Sequence, residues 1–124
     1  MLKNNHAFSG FSVNDLAAAK KFYGQTLGLA VTEDAMGLQI KVGGGHEIFV
    51  YEKPNHQPAT FTILNFVVED IDKAVRDLKA QGIKFEQYKD MTDEDDIARG
   101  RKYKQGPDIA WFTDPAGNIL SVLH

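Results

Sequence analysis

A chain of 124 residues that is 43% hydrophobic and 25% charged has the make-up of an ordinary globular domain with one core. A net charge of -3 argues against a nucleic-acid surface, which gathers basic residues well beyond this balance. With no cysteine there are no disulfides, thiolate metal sites or cysteine nucleophile, and the composition fits a reducing compartment. Met1 to His6 has no apolar run behind it, so neither a signal peptide nor a membrane span is expected and the chain reads as cytoplasmic.

Phe8 to Val13 alternates as a strand, and Asn14-Asp15 supplies the side-chain oxygens that cap a helix. Leu16, Ala19, Phe22, Tyr23 and Leu27 fall on one helical face, and Gly28 suits the left-handed position just past its end. Strand-like pieces follow at Leu29 to Glu33, Gly37 to Val42 and Glu47 to Glu52, separated by turn residues such as Gly43-Gly44-Gly45 and followed by Pro54-Asn55.

The order then recurs. Thr60 to Val68 reads as a strand, Asp70 as a cap, Ile71, Val75 and Leu78 as a helix stripe, and Gly82 as its stop. Matching Asp15 with Asp70 and Gly28 with Gly82 gives nearly equal offsets. Matching Gly45 with Gly117 does not, and this places an insertion of about 18 residues between Gln87 and Gly106. The insertion runs from an acidic block, Asp93-Glu94-Asp95-Asp96, to a basic one, Arg101-Lys102-Tyr103-Lys104. It reads either as a solvated surface excursion or as a flap over a pocket.

Near the end, Phe112-Thr113-Asp114-Pro115-Ala116-Gly117-Asn118-Ile119-Leu120-Ser121-Val122 combines a turn and a strand. With Phe11-Ser12-Val13-Asn14-Asp15-Leu16, Phe22-Tyr23, Leu27-Gly28-Leu29 and their counterparts Phe66-Val67-Val68-Glu69-Asp70-Ile71 and Gly106 to Phe112, it resembles the vicinal-oxygen-chelate superfamily of glyoxalases, bleomycin-resistance proteins and dioxygenases. The resemblance implies an α+β fold: two tandem βαβββ modules, about 1–55 and 56–124 of a single 1–124 domain, whose curved mixed sheets enclose a concave pocket. It also implies a homodimer, because such modules expose sheet edges.

The alternation of side chains along strands then assigns faces. Phe11, Val13, Ile48, Val50, Leu64, Phe66 and Val68 are expected under the helices. Phe8, Gly10, Ser12, Glu47, Phe49, Tyr51, Ile63, Asn65, Val67, Ile119, Ser121 and Leu123 are expected on the concave side. Trp111 and Phe112 have opposite parity, so one of them faces the pocket. Ligand-binding candidates are thus Phe8, Ser12, Glu47, Phe49, Tyr51, Ile63, Asn65 and Ser121.

Metal-dependent members of the superfamily take ligands from the first and last strand of each module. Counting from the capping aspartates and turn glycines places those positions at Phe8, Ile63, Phe49 and Ser121. Two phenylalanines and an isoleucine have no lone pair to donate, and a serine hydroxyl is a poor ligand beside a carboxylate. No metal and no cofactor are therefore expected, and metal-dependent glyoxalase or dioxygenase chemistry is disfavoured. The four histidines do not converge: His6 lies at a frayed strand start, His46 and Glu47 point opposite ways, His124 has helix-side parity and His56 is in a turn. No histidine is expected level with Ser12 or Ser121, which disfavours serine hydrolysis. Glu47 is the one carboxylate expected on the concave face, where partial desolvation would suit a general acid or base.

Three functions follow. The first is a binding protein that sequesters or senses an apolar or aromatic small organic molecule. The second is a metal-independent enzyme with Glu47 as acid or base and Asn65 or Ser121 orienting substrate. The third is a partner-binding domain with a vestigial pocket.

Overall fold

The computed structural model describes residues 1–124, which form two compact units, Met1–Pro58 and Ala59–His124. In the first, strand β1 (Ser9–Val13) leads into helix α1 (Leu16–Lys21), and β2 (Ala30–Asp34), β3 (Gly37–Val42) and β4 (His46–Glu52) follow. In the second, β5 (Thr62–Val67) leads into α2 (Ile71–Ala80), and β6 (Ala98–Arg99), β7 (Asp108–Thr113) and β8 (Ile119–Leu123) complete the set. The sheets have the same order, β1-β4-β3-β2 and β5-β8-β7-β6, with the first and last strands of each unit parallel and the rest antiparallel. The repeated βαβββ pattern is therefore real, and the fold is α+β. No helix is long and apolar enough to cross a membrane.

Both helices start where the sequence places their caps. Asp15 Oδ1 accepts from the Ala18 N–H at 3.1 Å, and Asp70 Oδ1 accepts from the Lys73 N–H at 3.0 Å. Glu52, on the helix side of β4, adds a second acceptor at the start of α1 by taking the Leu16 N–H at 3.0 Å. Gly28 and Gly82 close the helical segments with φ of +74° and +90°.

The first helix departs from expectation in its second half. Its α-helical part ends at Lys21, and Phe22–Thr26 is a π turn, closed by the Leu27 N–H to Phe22 C=O bond at 2.9 Å. The wider turn still buries Phe22 and Tyr23 and sets their rings edge to face, with centroids 5.1 Å apart.

The core of each unit lies between its helix and one face of its sheet. In the first unit Leu38 pairs with Val50 and Ile40 with Ile48, all four buried, and Phe11 meets Tyr23 at 5.8 Å. In the second, Ile71 and Val75 of α2 are buried with Ala110, Phe112, Leu120 and Val122. Phe85 bridges to Phe112 and rests on it with centroids 5.4 Å apart.

The turn between β7 and β8 is a compact hydrogen-bonded knot. Asp114 Oδ1 accepts from the N–H groups of Ala116 and Asn118, both at 2.9 Å, and Asn118 Nδ2 donates to Asp114 Oδ2 at 3.0 Å. Both residues are buried, and Gly117 takes a φ of +84° that only glycine adopts without strain.

The insertion is neither featureless nor free. It reduces β6 to two residues, shorter than its counterpart β2, and is pinned to α2. Asp93 Oδ1 accepts from the N–H groups of Asp95 and Ile97, while its Oδ2 takes Arg99 Nε at 2.8 Å. Arg99 then reaches Asp72 on α2 through both terminal nitrogens, and Lys79 pairs with Asp96 at 3.0 Å. Asp93 and Asp96 sit in the insertion's acidic block and face cations, so ion pairs join that stretch to α2.

Candidate functional site

The face of each sheet opposite its helix is where sequence reasoning places the functional side chains. In the first unit this open face carries Ser12 beside Tyr51, Gly10 beside Phe49, and Gln39 beside Phe49, as the ladder register requires. Phe49 and Tyr51 stack with centroids 5.7 Å apart and planes at 18°. They stand two residues apart on β4, which brings their rings to the same side.

Glycine makes room for this platform. A Cβ on Gly10 would lie 3.0 Å from the Phe49 carbonyl oxygen and 3.7 Å from the Phe49 ring. One on Gly37 would lie 2.3 Å from the Val50 carbonyl oxygen and 3.2 Å from Phe49 Cε1. A side chain at Gly37 would collide with the strand that holds the ring, and one at Gly10 would crowd it.

Phe8 does not join the platform as expected. It precedes β1, is 67% exposed, and its ring is 6.3 Å from that of His6. Glu47 has the expected parity but is exposed and lies across from Lys41, so the desolvation expected of a general acid or base is missing.

A second correction concerns the histidines. Ser12 Oγ and His56 Nδ1 are 2.7 Å apart. The turn after β4, closed by the His56 N–H to Lys53 C=O bond at 3.0 Å, folds back over β1 and brings in a ring that strand parity could not place. Parity describes only residues within strands. The pair is a polar edge to the aromatic platform, with Tyr51 opposite Ser12 in the ladder.

In the second unit the open face is built on β5, β8 and β7. Asn65, Ser121 and Trp111 stand side by side across these three strands. Paired residues on neighbouring strands point to one side, so Trp111 belongs to the open face and the fully buried Phe112 to the helix side. Ser121 is 0% exposed and its Oγ donates to Asn65 Oδ1 at 2.5 Å. Tyr88, at the start of the insertion, meets the Trp111 ring edge-on with centroids 5.4 Å apart and planes at 78°. Sequence reasoning missed Tyr88, because no periodicity links a loop residue to a strand.

Ile63 is also corrected. The β5–β8 register shifts between Thr62 and Leu64: Thr62 lies across from Ile119 and Leu64 across from Leu120. Ile63 is the extra residue of a β-bulge, and Thr62 takes the ladder position that counting assigned to it. Val67, at the other end of the strand, is 81% exposed.

Elsewhere, a shallow groove beside α1 is lined by residues including Lys20, Lys21, Gln25 and Glu33. The Lys20–Glu33 ion pair at 3.1 Å is surface-exposed, and none of the aromatic groups above reaches this groove. No group of three or more histidines, aspartates or glutamates is arranged to hold a metal ion.

Comparison with solved structures gives the same architecture over the whole chain. A glyoxalase family protein from Enterococcus faecalis superposes with a TM-score of 0.71 at 22% identity, covering 100% of both chains. TnmS3, an antibiotic binding protein from Streptomyces sp. CB03234, superposes with a TM-score of 0.66 at 22% identity, over 97% of this chain and 96% of that one. A member of the glyoxalase/bleomycin resistance protein/dioxygenase superfamily from Sphaerobacter thermophilus DSM 20745 gives a TM-score of 0.67 at 21% identity, over 95% and 96% of the two chains. At these identities the likeness establishes the fold. No curated protein matches the chain. The profile of the glyoxalase/bleomycin resistance protein/dioxygenase superfamily matches residues 5–122, and the chain belongs to that superfamily.

Proposed function

We propose that this protein binds a small, largely apolar or aromatic organic molecule on the open faces of its sheets, without the metal that catalytic relatives use. The observation that carries the reading is the Phe49–Tyr51 stack. A phenylalanine occupies a position where metal-dependent relatives keep a ligand, and it is held flat against a second ring. Aromatic surface of this kind favours a partner that can stack or be buried.

The donor set at the four superfamily positions supports the metal-free part. Phe8 and Phe49 have no lone pair, and the bulge leaves Thr62 or Ile63 at the third position. Ser121 already donates its hydroxyl to Asn65. At most two neutral hydroxyls remain, which do not fit a divalent transition metal. Among the solved relatives, the antibiotic binding protein is an instance of this fold serving binding.

The working form in this reading is a cytoplasmic homodimer. Edge strands β1 and β5 carry unpaired backbone groups, and Phe8, Phe61 and Val67 are exposed on or beside them. Sedimentation equilibrium should return twice the 13.8 kDa chain mass at micromolar concentration, and a value of 13.8 kDa would rule the dimer out.

Native mass spectrometry of the purified protein tests the binding function. The expected result is an organic adduct of a few hundred daltons that is lost when Phe49 is replaced by alanine. Stoichiometric zinc, nickel or iron, removed by changing Ser121 or Thr62, would overturn the metal-free reading.

A further inference from the structure

The open face of the second unit holds a carboxylate that strand counting did not place. After α2 the chain runs back along β7: Phe85 bridges to Phe112 in the antiparallel sense, and the Glu86 N–H donates to the Trp111 carbonyl at 2.8 Å. Glu86 is therefore the ladder neighbour of Trp111. Phe85 packs on the helix-side ring of Phe112 while Tyr88 meets Trp111 on the other side, so Glu86, which alternates with Phe85 and stands two residues before Tyr88, belongs to the open face. The row across that face reads Asn65, Ser121, Trp111, Glu86. Glu86 is part-buried and enters none of the chain's ion pairs, whereas Glu47 on the other sheet has Lys41 across from it.

The geometry points to a subsite on the second unit for an organic ammonium ion, with Glu86 as its counter-ion and the Trp111 and Tyr88 rings as the surface on which its carbon skeleton lies. This deepens the binding function proposed above and rests on it. The molecule is apolar or aromatic over most of its surface and cationic at one end. An ionised carboxylate only accepts, so its choice of partner does not depend on how the side chain is turned. Indole and phenol rings attract a cation over their faces, and the carboxylate attracts the same charge, so the two effects reinforce each other. An anion of the same shape is repelled by both.

The test uses two matched probes, 2-naphthylmethylamine, an ammonium ion at neutral pH, and 2-naphthalenemethanol, which is neutral and nearly the same shape. Each is titrated into the ¹⁵N-labelled full chain, following the indole N–H of Trp111, the single tryptophan, by NMR. The expected result is tighter binding of the ammonium probe by about 3- to 10-fold at low salt, with the margin narrowing as salt is added. Glu86→Gln keeps the shape of the side chain, and it should cut the margin to about 2-fold or less while the affinity for the alcohol stays as it was. Glu94→Gln, which removes an exposed charge from the insertion, changes the net charge equally and should leave the margin intact. A margin that survives Glu86→Gln, or that Glu94→Gln cuts as much, would overturn Glu86 as the counter-ion. Equal binding of both probes by the unaltered protein, with Trp111 responding to each, would overturn the ammonium subsite and leave aromatic binding standing. A Trp111 signal that moves with neither probe would overturn both.

Discussion

The Arg99 guanidinium grips the Asp72 carboxylate with two hydrogen bonds, Nη1 to Oδ2 at 3.1 Å and Nη2 to Oδ1 at 2.7 Å, so that the insertion is fastened to helix α2. The Arg99 hydrogen bond holds the Asp72 carboxyl below the usual carboxylate range, and the same pairing raises Arg99. At Asp93 burial works the other way, but hydrogen bonds from Arg99 and from the Ile97 and Asp95 N–H groups outweigh it, and that carboxyl too is lowered. Carboxylates depressed in the folded state contribute stability above their unfolded pKa, near 4, and lose it as pH falls through the folded value. Protection of the 93–100 amides, taken relative to their intrinsic exchange rates, should therefore hold from neutral pH down to about 4 and fall below it. Loosening on the alkaline side instead would contradict the clamp.

Replacing Asp72 by asparagine should reproduce part of that loosening at neutral pH. Its side chain is 45% exposed, so water screens the pair and the cost in global stability should not exceed about 1 kcal/mol. Urea denaturation gives the global figure and amide exchange the local one. A global loss of several kcal/mol would mean that the clamp supports the core and not just the insertion.

Asp114→Ala should be far more costly. It removes the acceptor of the Ala116 and Asn118 N–H groups and of Asn118 Nδ2, in a turn where both residues are buried. Each buried donor left unpaired costs about 1–3 kcal/mol, so a total of roughly 3 kcal/mol or more is expected by thermal or urea unfolding. Asn118→Ala, which removes the Nδ2 bond to Asp114 Oδ2 and spares the backbone ones, should cost less.

This turn also shows what the sequence makes legible. Asp114, Pro115, Gly117 and Asn118 act within five residues of one another, so their types alone announce the turn. The capping aspartates and the glycines after the helices are local in the same way, and the strand order follows from their repetition. The open face is legible where alternation runs unbroken, as at Ser12, Phe49, Tyr51, Asn65 and Ser121. It fails where one residue interrupts the count, at Ile63, or where a segment outside the strands folds back, as His56 does onto Ser12 and Tyr88 onto Trp111. Those contacts join residues 44 and 23 positions apart, and no local pattern encodes them.

The Ser12–His56 bond invites a reading as nucleophile and base, but it is expected to act as a fastener for the turn after β4. A serine becomes reactive when a positioned base is joined by donors that stabilise the oxyanion, and a single hydrogen bond does not supply both. Ser12→Ala should lower stability by about 0.5–1.5 kcal/mol and quicken exchange of the His56 amide. Incubation with diisopropyl fluorophosphate should leave the intact mass of the protein unchanged. A phosphoryl adduct on Ser12 would show it to be a nucleophile.

Phe49→Ala separates a binding platform from a core. The ring is only partly buried and its closest stacking partner, Tyr51, is itself 38% exposed. Removing it should cost less than the roughly 3–5 kcal/mol lost when a fully buried phenylalanine is truncated. Affinity for a ligand that covers the ring should fall by about 1–3 kcal/mol, with little dependence on salt. A large loss of stability with unchanged affinity would assign the ring to packing. Calorimetric titration and thermal unfolding of the same variant decide between the two.

In both sheets the strand synthesised last in its unit, β4 or β8, occupies an interior position, between β1 and β3 or between β5 and β7. Neither sheet can close from one end as the chain emerges. β1 waits unpaired until residues 46–52 exist, and β5 until residues 119–123 do. Parallel closures over such distances are slow and leave strand edges open to other chains. The second unit, whose wait is lengthened by its insertion, is thus the one whose half-made form would aggregate on the ribosome or depend on a chaperone.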